Sequence, residues 1–322
     1  MTWNLRMPRH KLIVILGPTA AGKTALSIEL ARHFGTEIIS GDSMLVYRGF
    51  DIGSAKPSVA ERKGVRHHLI DVREPWESYS VADFKNEAER IIEELNDRGK
   101  IPVLAGGTGL YVKSLLEGYC FNEKAADEAY RRQLEELART HGKEYVRAML
   151  AEVDPDAAAR LHANDFRRIV RAMEVAVGGT EKISREKEMG VSGSLAYDAC
   201  VIGIRRERKE LYRRIDRRAE LMASQGLFEE TKALLEKGVT PDMQAMKGIG
   251  YREAAAFWEG KLARGDAVKK IQASTRHFAK RQITWYRKMP YIRWLDADGL
   301  PEGKLFSMAL REIEGYFGNG IE

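Results

Sequence analysis

The chain reads as an α/β protein: a parallel sheet flanked by helices, with an all-helical insertion in its middle. Three observations predict this. Over the first 120 residues, short apolar runs alternate with helical patterns, and such alternation builds parallel sheets with helices on both faces. From 121 to 198 the β-branched runs give way to helical periodicity. "ACVIGI" at 199–204 then supplies one more strand for the first sheet. The predicted domains are therefore a core made of 1–120 together with 199–322, and a helical insertion over 121–198.

Taken in order, "KLIVIL" is a buried strand and "ALSIELARHF" an amphipathic helix. "TEIISGDS" is a second strand and "HHLIDV" a short third. "VADFKNEAERIIEELNDRG" is a helix, and "KIPVLAGG" a fourth strand whose glycines precede "LYVKSLLEG". The insertion runs from "DEAYRRQLEELARTHG" through "NDFRRIVRAMEVAVGG" to the Gly/Ser-rich "GVSGS" at 190–194. Beyond the fifth strand the chain is expected to be mostly helical, including "ELYRRIDRRAELMASQGLFEETKALLEKG" and "KKIQASTRHFAKRQITWYRKM". No internal repeat or low-complexity tract interrupts it.

With 44% hydrophobic and 31% charged residues in 322, the composition is globular rather than disordered. No apolar run approaches the roughly 20 residues that cross a bilayer. "MTWNLRMPRH" is not followed by a small-residue cleavage site, so no signal peptide is expected. The cysteines are Cys120 and Cys200, without a C-x-x-C pair. A cytoplasmic protein with neither disulfide framework nor zinc site follows. The net charge of +6 favours a polyanionic partner. The charge is concentrated in "RRERKELYRRIDRR" at 205–218 and in a stretch from Lys270 to Arg293 free of acids. A solvated helix face accounts for either run alone. Two of them beside a phosphate site point to nucleic acid.

That phosphate site is "GPTAAGKT", Gly17, Pro18, Thr19, Ala20, Ala21, Gly22, Lys23 and Thr24, placed between a strand and a helix. The spacing is that of a P-loop, so the sheet is P-loop NTPase-like. Backbone N–H groups face an anion, Lys23 adds a point charge, and the Thr24 hydroxyl can hold Mg²⁺. ATP would suit such a cradle too. Asp42 ends the second strand, on the sheet edge that opens toward the cradle. A carboxylate there can take a proton from a nucleophile or reach Mg²⁺ through water; a turn Asp bonded to its own backbone would look the same. "VLAGGTGLY" lacks the acidic residue with which an ordinary P-loop ATPase steadies its metal. Its glycines admit a ligand close to the backbone, and Thr108 offers a hydroxyl. A tight turn is the alternative.

In "NDFRRIVRAME", Asn164 or Asp165 can cap a helix, and Arg167, Arg168 and Arg171 share a broad face. Arg214, Arg217 and Arg218 repeat the device. Without matching acids on the same face, both sets favour phosphates. His67 and His68 point to opposite sides of a strand, so a structural role is expected rather than a shared metal. "STRHFAKRQITWYRKM" interleaves Arg276, Lys280 and Arg281 with Trp285 and Tyr286, either as a nucleic-acid surface or as core.

Together, "GPTAAGKT", "DSMLVYRGFDIGSAKP", "HHLIDV", "YSVADF", "GGTGLY", "NDFRRIVRAME", "KGIGYRE" and "AKRQITWYR" resemble one family in series: the tRNA dimethylallyltransferases, or tRNA isopentenyltransferases. The resemblance runs from residue 17 to 287 and, without the zinc finger of eukaryotic members, is to the bacterial form. It implies transfer of a dimethylallyl group from its diphosphate to N6 of the adenosine 3′ of the tRNA anticodon. It further implies Asp42 as general base, with Thr19, Lys23 and Arg218 on the diphosphate and Mg²⁺ at Thr24. The positions implied to contact tRNA are Asp42, Ser43, Met44 and Leu45, Thr108, Arg131, and Arg167, Arg168, Ile169, Val170 and Arg171. The partners expected are then the tRNA anticodon stem-loop and dimethylallyl diphosphate, with no membrane, and the chain is expected to be a monomer. A nucleotide kinase, an adenylate isopentenyltransferase and a non-catalytic RNA-binding P-loop protein are the rival readings.

Overall fold

A computed structural model describes residues 9–119, 128–178, 195–301 and 303–318. Cys120, the "GVSGS" at 190–194 and most of the N-terminal segment lie outside the described residues. The chain divides into two compact units, Met1–Leu116 with Tyr197–Glu322, and Glu117–Ala196.

The first unit is built on a six-stranded parallel sheet. Its strands are β1 (Lys11–Leu16), β2 (Ile38–Ser40), β3 (His67–His68), β4 (Val103–Ala105), β5 (Asp198–Arg205) and β6 (Arg293–Asp296), in the order β3-β2-β4-β1-β5-β6. β1 lies between β4 and β5, with Ile13 opposite both Val103 and Cys200. Leu12 to Leu16 are fully buried. A strand covered on both faces has no polar side to show, which is why "KLIVIL" reads as an unbroken apolar run.

"HHLIDV" yields only the two residues of β3. Leu69 and Asp71 stand at φ 60° and 57°, in the left-handed region, and end the extended run. β6 is an addition to the expected strands. Within it Arg293 and Asp296 are exposed and Leu295 alone is buried, so the polar ends of this edge strand hide its signal.

Around the sheet run α1 (Lys23–His33), α2 (Val81–Asp97) and α3 (Gly109–Leu116). α2 starts at a capping box in which Ser80 and Asp83 bond each other's backbone N–H. It buries Phe84, Ala88, Ile91, Ile92 and Leu95 at helical spacing.

The second unit is all helical as described: α4 (Glu128–His141), α5 (Lys143–Val153), α6 (Pro155–Arg160) and α7 (Phe166–Gly178). Leu134, Val146, Leu150, Ile169, Ala172 and Met173 form its core. Asp154 accepts from the Ala157 N–H at 3.1 Å and caps α6, with Pro155 where a helix start tolerates proline.

Returning to the first unit, one long expected helix is two, α8 (Arg208–Ser224) and α9 (Leu227–Glu236), separated at Gly226 with φ 107°. α10 (Tyr251–Trp258), α11 (Arg264–Tyr286) and α12 (Lys304–Phe317) follow. Ala309 and Ile313 of α12 join Leu26 and Leu30 of α1 and Ile202 of β5 in the main core. No described helix is long and apolar enough to cross a membrane.

Both aromatics of "QITWYRKM" pack against the protein, Trp285 half-buried and Tyr286 wholly buried. Trp285 lies so close to Gly109 that an added Cβ there would meet its Cδ1 at 2.4 Å. The alternative of an aromatic nucleic-acid surface at 285–286 is therefore set aside.

Candidate active site

β1 delivers the chain into Gly17, and α1 opens at Lys23. A Cβ on Gly17 would meet the Ile204 carbonyl oxygen at 2.9 Å, so only glycine lets β1 turn beside β5. Gly22 at φ 109° and Ala20 at φ 63° complete the sharp turn. Two arginines hold the turn: Arg214 Nε donates to the Ala20 carbonyl at 2.8 Å, and Arg206 Nε to that of Ala21 at 2.9 Å. The Thr19 N–H is bonded to Gln282 and the Ala21 N–H to the Pro18 carbonyl, so an anion would meet the other N–H groups of the loop.

Lys23 Nζ donates to the Pro18 carbonyl at 2.9 Å. Burial pushes its pKa down to about 8, Asp42 opposes that shift, and Arg218 adds to it. Arg218 is itself lowered, first by burial and then by Arg214, with Asp42 again opposing. Asp42 thus acts on both cations of the cradle. Thr24 is exposed in the first turn of α1.

The loops after β2 and β4 form one body. A Cβ on Gly106 would fall 2.3 Å from the Gly41 carbonyl oxygen, so the two backbones touch where no side chain fits. Thr108 N–H donates to the Gly41 carbonyl at 3.2 Å, and Ser43 N–H to Thr108 Oγ1 at 3.0 Å. Asp42 Oδ1 accepts from Met44 N–H at 2.9 Å. The local turn bond and the functional placement coexist: one oxygen shapes the loop while the other faces the cradle. A Cβ on Gly107 would stand 3.7 Å from Asp42 Oδ2, 3.8 Å from Lys23 Nζ and 2.7 Å from Gln282 Nε2. A carboxylate, a cation and a buried amide therefore converge on one glycine.

Two cavities of about 410 Å³ adjoin this point. One is basic, lined by Gly22, Lys23, Thr24, Arg214, Arg217 and Arg218. The other brings Asp42, Ser43 and Thr108 up to an apolar wall of Ile215, Met222, Ile271 and Phe278. Met44 shares that second cavity, and Leu45 lines a smaller one with Thr19, Lys23 and Asp42. Thr19, Lys23, Thr24, Asp42, Ser43, Met44, Leu45, Thr108 and Arg218 are thus gathered at one site. Arg206, from the basic run at 205–218, belongs to it too, as do Gln282, Phe278 and Met222, which the sequence does not single out, because apolar or neutral residues inside helices carry no chemical signature.

The other candidates lie on the helical unit, where two corrections arise. Ile169 is fully buried and Val170 is 7% exposed, so their side chains build the core and cannot meet a ligand. Matching acids do exist. Arg131 binds Glu174 through Nε at 2.7 Å and Nη2 at 3.1 Å, Arg171 lies 3.6 Å from Glu174, and Arg168 lies 3.8 Å from Asp165. Arg167 and Arg168 are exposed.

His67 and His68 are half-buried and separately engaged, His67 Nδ1 with the Val65 carbonyl at 2.9 Å and His68 Nε2 with Glu37 at 2.6 Å. Among the described residues no cluster of three His, Cys, Asp or Glu could hold a metal.

The family described as IPP transferase matches residues 45–289. A tRNA dimethylallyltransferase of Bacillus mycoides (strain KBAB4) is 45% identical over 95% of both chains. The structure of a tRNA isopentenylpyrophosphate transferase from Bacillus halodurans aligns with a TM-score of 0.73 at 38% identity, covering 97% of this chain and 98% of that one. A eukaryotic dimethylallyltransferase described as acting on tRNA aligns with a TM-score of 0.79 at 29% identity, covering 95% of this chain and 79% of its own.

Proposed function

This chain belongs to the IPP transferase family, and we propose that it transfers a dimethylallyl group from dimethylallyl diphosphate to N6 of the tRNA adenosine immediately 3′ of the anticodon. The observation that carries this reading is the convergence on Gly107: Asp42 and Lys23 face one point, beside a cavity with an apolar wall. A prenyl diphosphate needs both halves.

The loop N–H groups, Lys23 and Arg218 stabilise the negative charge that grows on the diphosphate as its C–O bond breaks. Thr19 lies against the same group. N6 of adenine is a poor nucleophile because its lone pair is shared with the ring. Asp42 takes the N6 proton as the new C–N bond forms, and diphosphate leaves with the electrons of the broken bond. The adenine must leave its stack to reach this cavity. Ser43, Met44, Leu45 and Thr108 would border it, while Arg131, Arg167, Arg168 and Arg171 would hold the phosphates of the anticodon stem-loop.

Thr24, exposed in the first turn of α1 beside Lys23, would hold Mg²⁺ through its hydroxyl. Bound there, it would neutralise charge on the leaving group. We place the reaction in the cytoplasm and read the chain as a monomer, which sedimentation of the purified protein tests.

One assay decides among the rivals. Labelled dimethylallyl diphosphate is offered with tRNA, with AMP and with neither, alongside labelled ATP. Label in tRNA, lost when the adenosine beside the anticodon is replaced, is the expected result. Label in AMP would indicate an adenylate isopentenyltransferase, and γ-phosphoryl transfer a kinase. No transfer at all would leave an RNA-binding protein.

A further inference from the structure

We propose that Gln282 is a positioning residue: its one side-chain amide clamps the diphosphate cradle to the loop beside the base and so fixes the distance across which the prenyl group moves. This rests on the prenyl-transfer reading above.

Gln282 lies on α11 and is 4% exposed. Its Oε1 accepts from the Thr19 N–H at 2.9 Å, and its Nε2 donates to the Gly107 carbonyl at 2.7 Å. The orientation is forced, because a backbone N–H only donates and a carbonyl only accepts. No ionised side chain meets both demands: a carboxylate has no donor and an ammonium no acceptor. A neutral amide does. Four residues on, Tyr286 adds a second rung, donating its O–H to the Gly107 carbonyl at 3.0 Å.

These bonds join the two halves of the site. Thr19 belongs to the cradle, whereas Gly107 precedes Thr108, which holds Ser43 beside Asp42. Tyr286 shares the task, since its O–H also lies 3.5 Å from the Gly17 carbonyl, and Arg214 and Arg206 hold the cradle at Ala20 and Ala21, whereas Gln282 holds it at the Thr19 N–H. The Thr19 N–H is also spoken for, so the diphosphate is left to the remaining amides of the loop. Displacement of a diphosphate by a nitrogen needs the two reacting atoms in near-attack geometry, and misplacement by about 1 Å costs on the order of 10²-fold in rate.

The test is Gln282→Met, which keeps the volume and removes both bonds, together with Gln282→Glu, which keeps the acceptor for Thr19 and loses the donor to Gly107. Three quantities are read: kcat for prenyl transfer to tRNA, KM for each substrate, and the ratio of dimethylallyl alcohol to prenylated tRNA. In the alcohol-forming side reaction a water oxygen bonds the prenyl carbon as the diphosphate departs. The expected result is kcat lowered roughly 10- to 100-fold with tRNA KM within about twofold, and a larger share of alcohol. A misplaced acceptor loses the prenyl group to water, whereas a merely destabilised fold loses both products together. Should the Met variant not fold, the Glu variant carries the same expectation. Wild-type kcat in a folded variant, or a fall in kcat with an unchanged product ratio, overturns the role of Gln282. Absence of transfer by the wild-type chain itself would instead overturn the reading of function, and this inference with it.

Discussion

Arg214 donates through Nε to the carbonyl of Ala20, 2.8 Å away, and Ala20 holds a left-handed φ of 63° without being glycine. A methyl-bearing residue in that region is strained by about 1 kcal/mol or more, so something must hold it there. Arg214 does, and Arg206 repeats the grip on the next carbonyl. Arg214→Ala should raise KM for dimethylallyl diphosphate about 5- to 100-fold, since it unpairs the half-buried Ala20 carbonyl and removes a cation from the basic cavity. Ala20→Gly in the same background should recover part of the loss, since glycine adopts the turn without strain. Titration with inorganic diphosphate separates binding from chemistry. Normal affinity in Arg214→Ala would mean the turn holds its own shape.

Lys23 sets the alkaline limit of the cradle. Its pKa of about 8, against 10.5 for a free lysine, is mainly the result of burial. As pH rises through 8 the unliganded site loses this charge, and diphosphate affinity should fall by up to about tenfold per pH unit. Stability moves the other way. Between 8 and 10.5 the unfolded chain holds one more proton at this lysine than the folded one. The cost of burying the charge is therefore fully present below 8 and fades as pH rises toward 10.5. Lys23→Arg keeps its charge across the range and should remove the alkaline loss of affinity. An equal slope in the variant would place the titration elsewhere.

On the helical unit, Glu174 offsets the charge of two arginines. It binds Arg131 in a fork and lies 3.6 Å from Arg171. Arg167 is exposed. Arg167→Ala and Arg171→Ala should each weaken tRNA binding and flatten its salt dependence, by roughly 0.7 to 0.9 in the log–log slope for a phosphate contact fully lost. Arg171, partly neutralised, should show the smaller change. If neither substitution alters the slope, both belong to a solvated helix face.

How far the sequence reveals this site depends on the kind of signal. The cradle is legible because Gly17, Gly22, Lys23 and Thr24 have fixed spacing. Asp42 is legible once the second strand is placed, since sheet topology fixes which edge it reaches. The apolar wall is not. Ile215, Met222, Ile271 and Phe278 look like ordinary core residues of α8 and α11, and only the crossing of those helices turns them toward a cavity. Gln282 is silent for a related reason: its partners Thr19 and Gly107 are backbone groups, 263 and 175 residues away. The density of arginines in "NDFRRIVRAME" misleads in the opposite sense. Ile169 and Val170 share its helix but face the core, and the Glu174 that neutralises Arg171 stands one turn further on. β6 escapes because only four residues form it and both ends are polar.

The two carboxylate oxygens of Asp42 stand in different surroundings. Oδ1 accepts the Met44 N–H at 2.9 Å, which shapes the loop, while a Cβ on Gly107 would stand 3.7 Å from Oδ2. Asparagine can keep its carbonyl toward Met44 and so preserve the loop, yet its amide cannot accept the adenine proton. Asp42→Asn should therefore lower turnover by on the order of 10²-fold or more while tRNA affinity stays near wild type. Asp42→Ala should lose the turn bond as well and weaken tRNA binding. Removing the carboxylate has a second consequence, because Asp42 is the group that raises the Lys23 pKa against burial. In Asp42→Asn the alkaline fall in diphosphate affinity should begin below pH 8, with the direction of the slope unchanged. Turnover and tRNA affinity falling equally in the Asn variant, with the Lys23 titration unmoved, would show that Asp42 neither takes the proton nor faces the cradle.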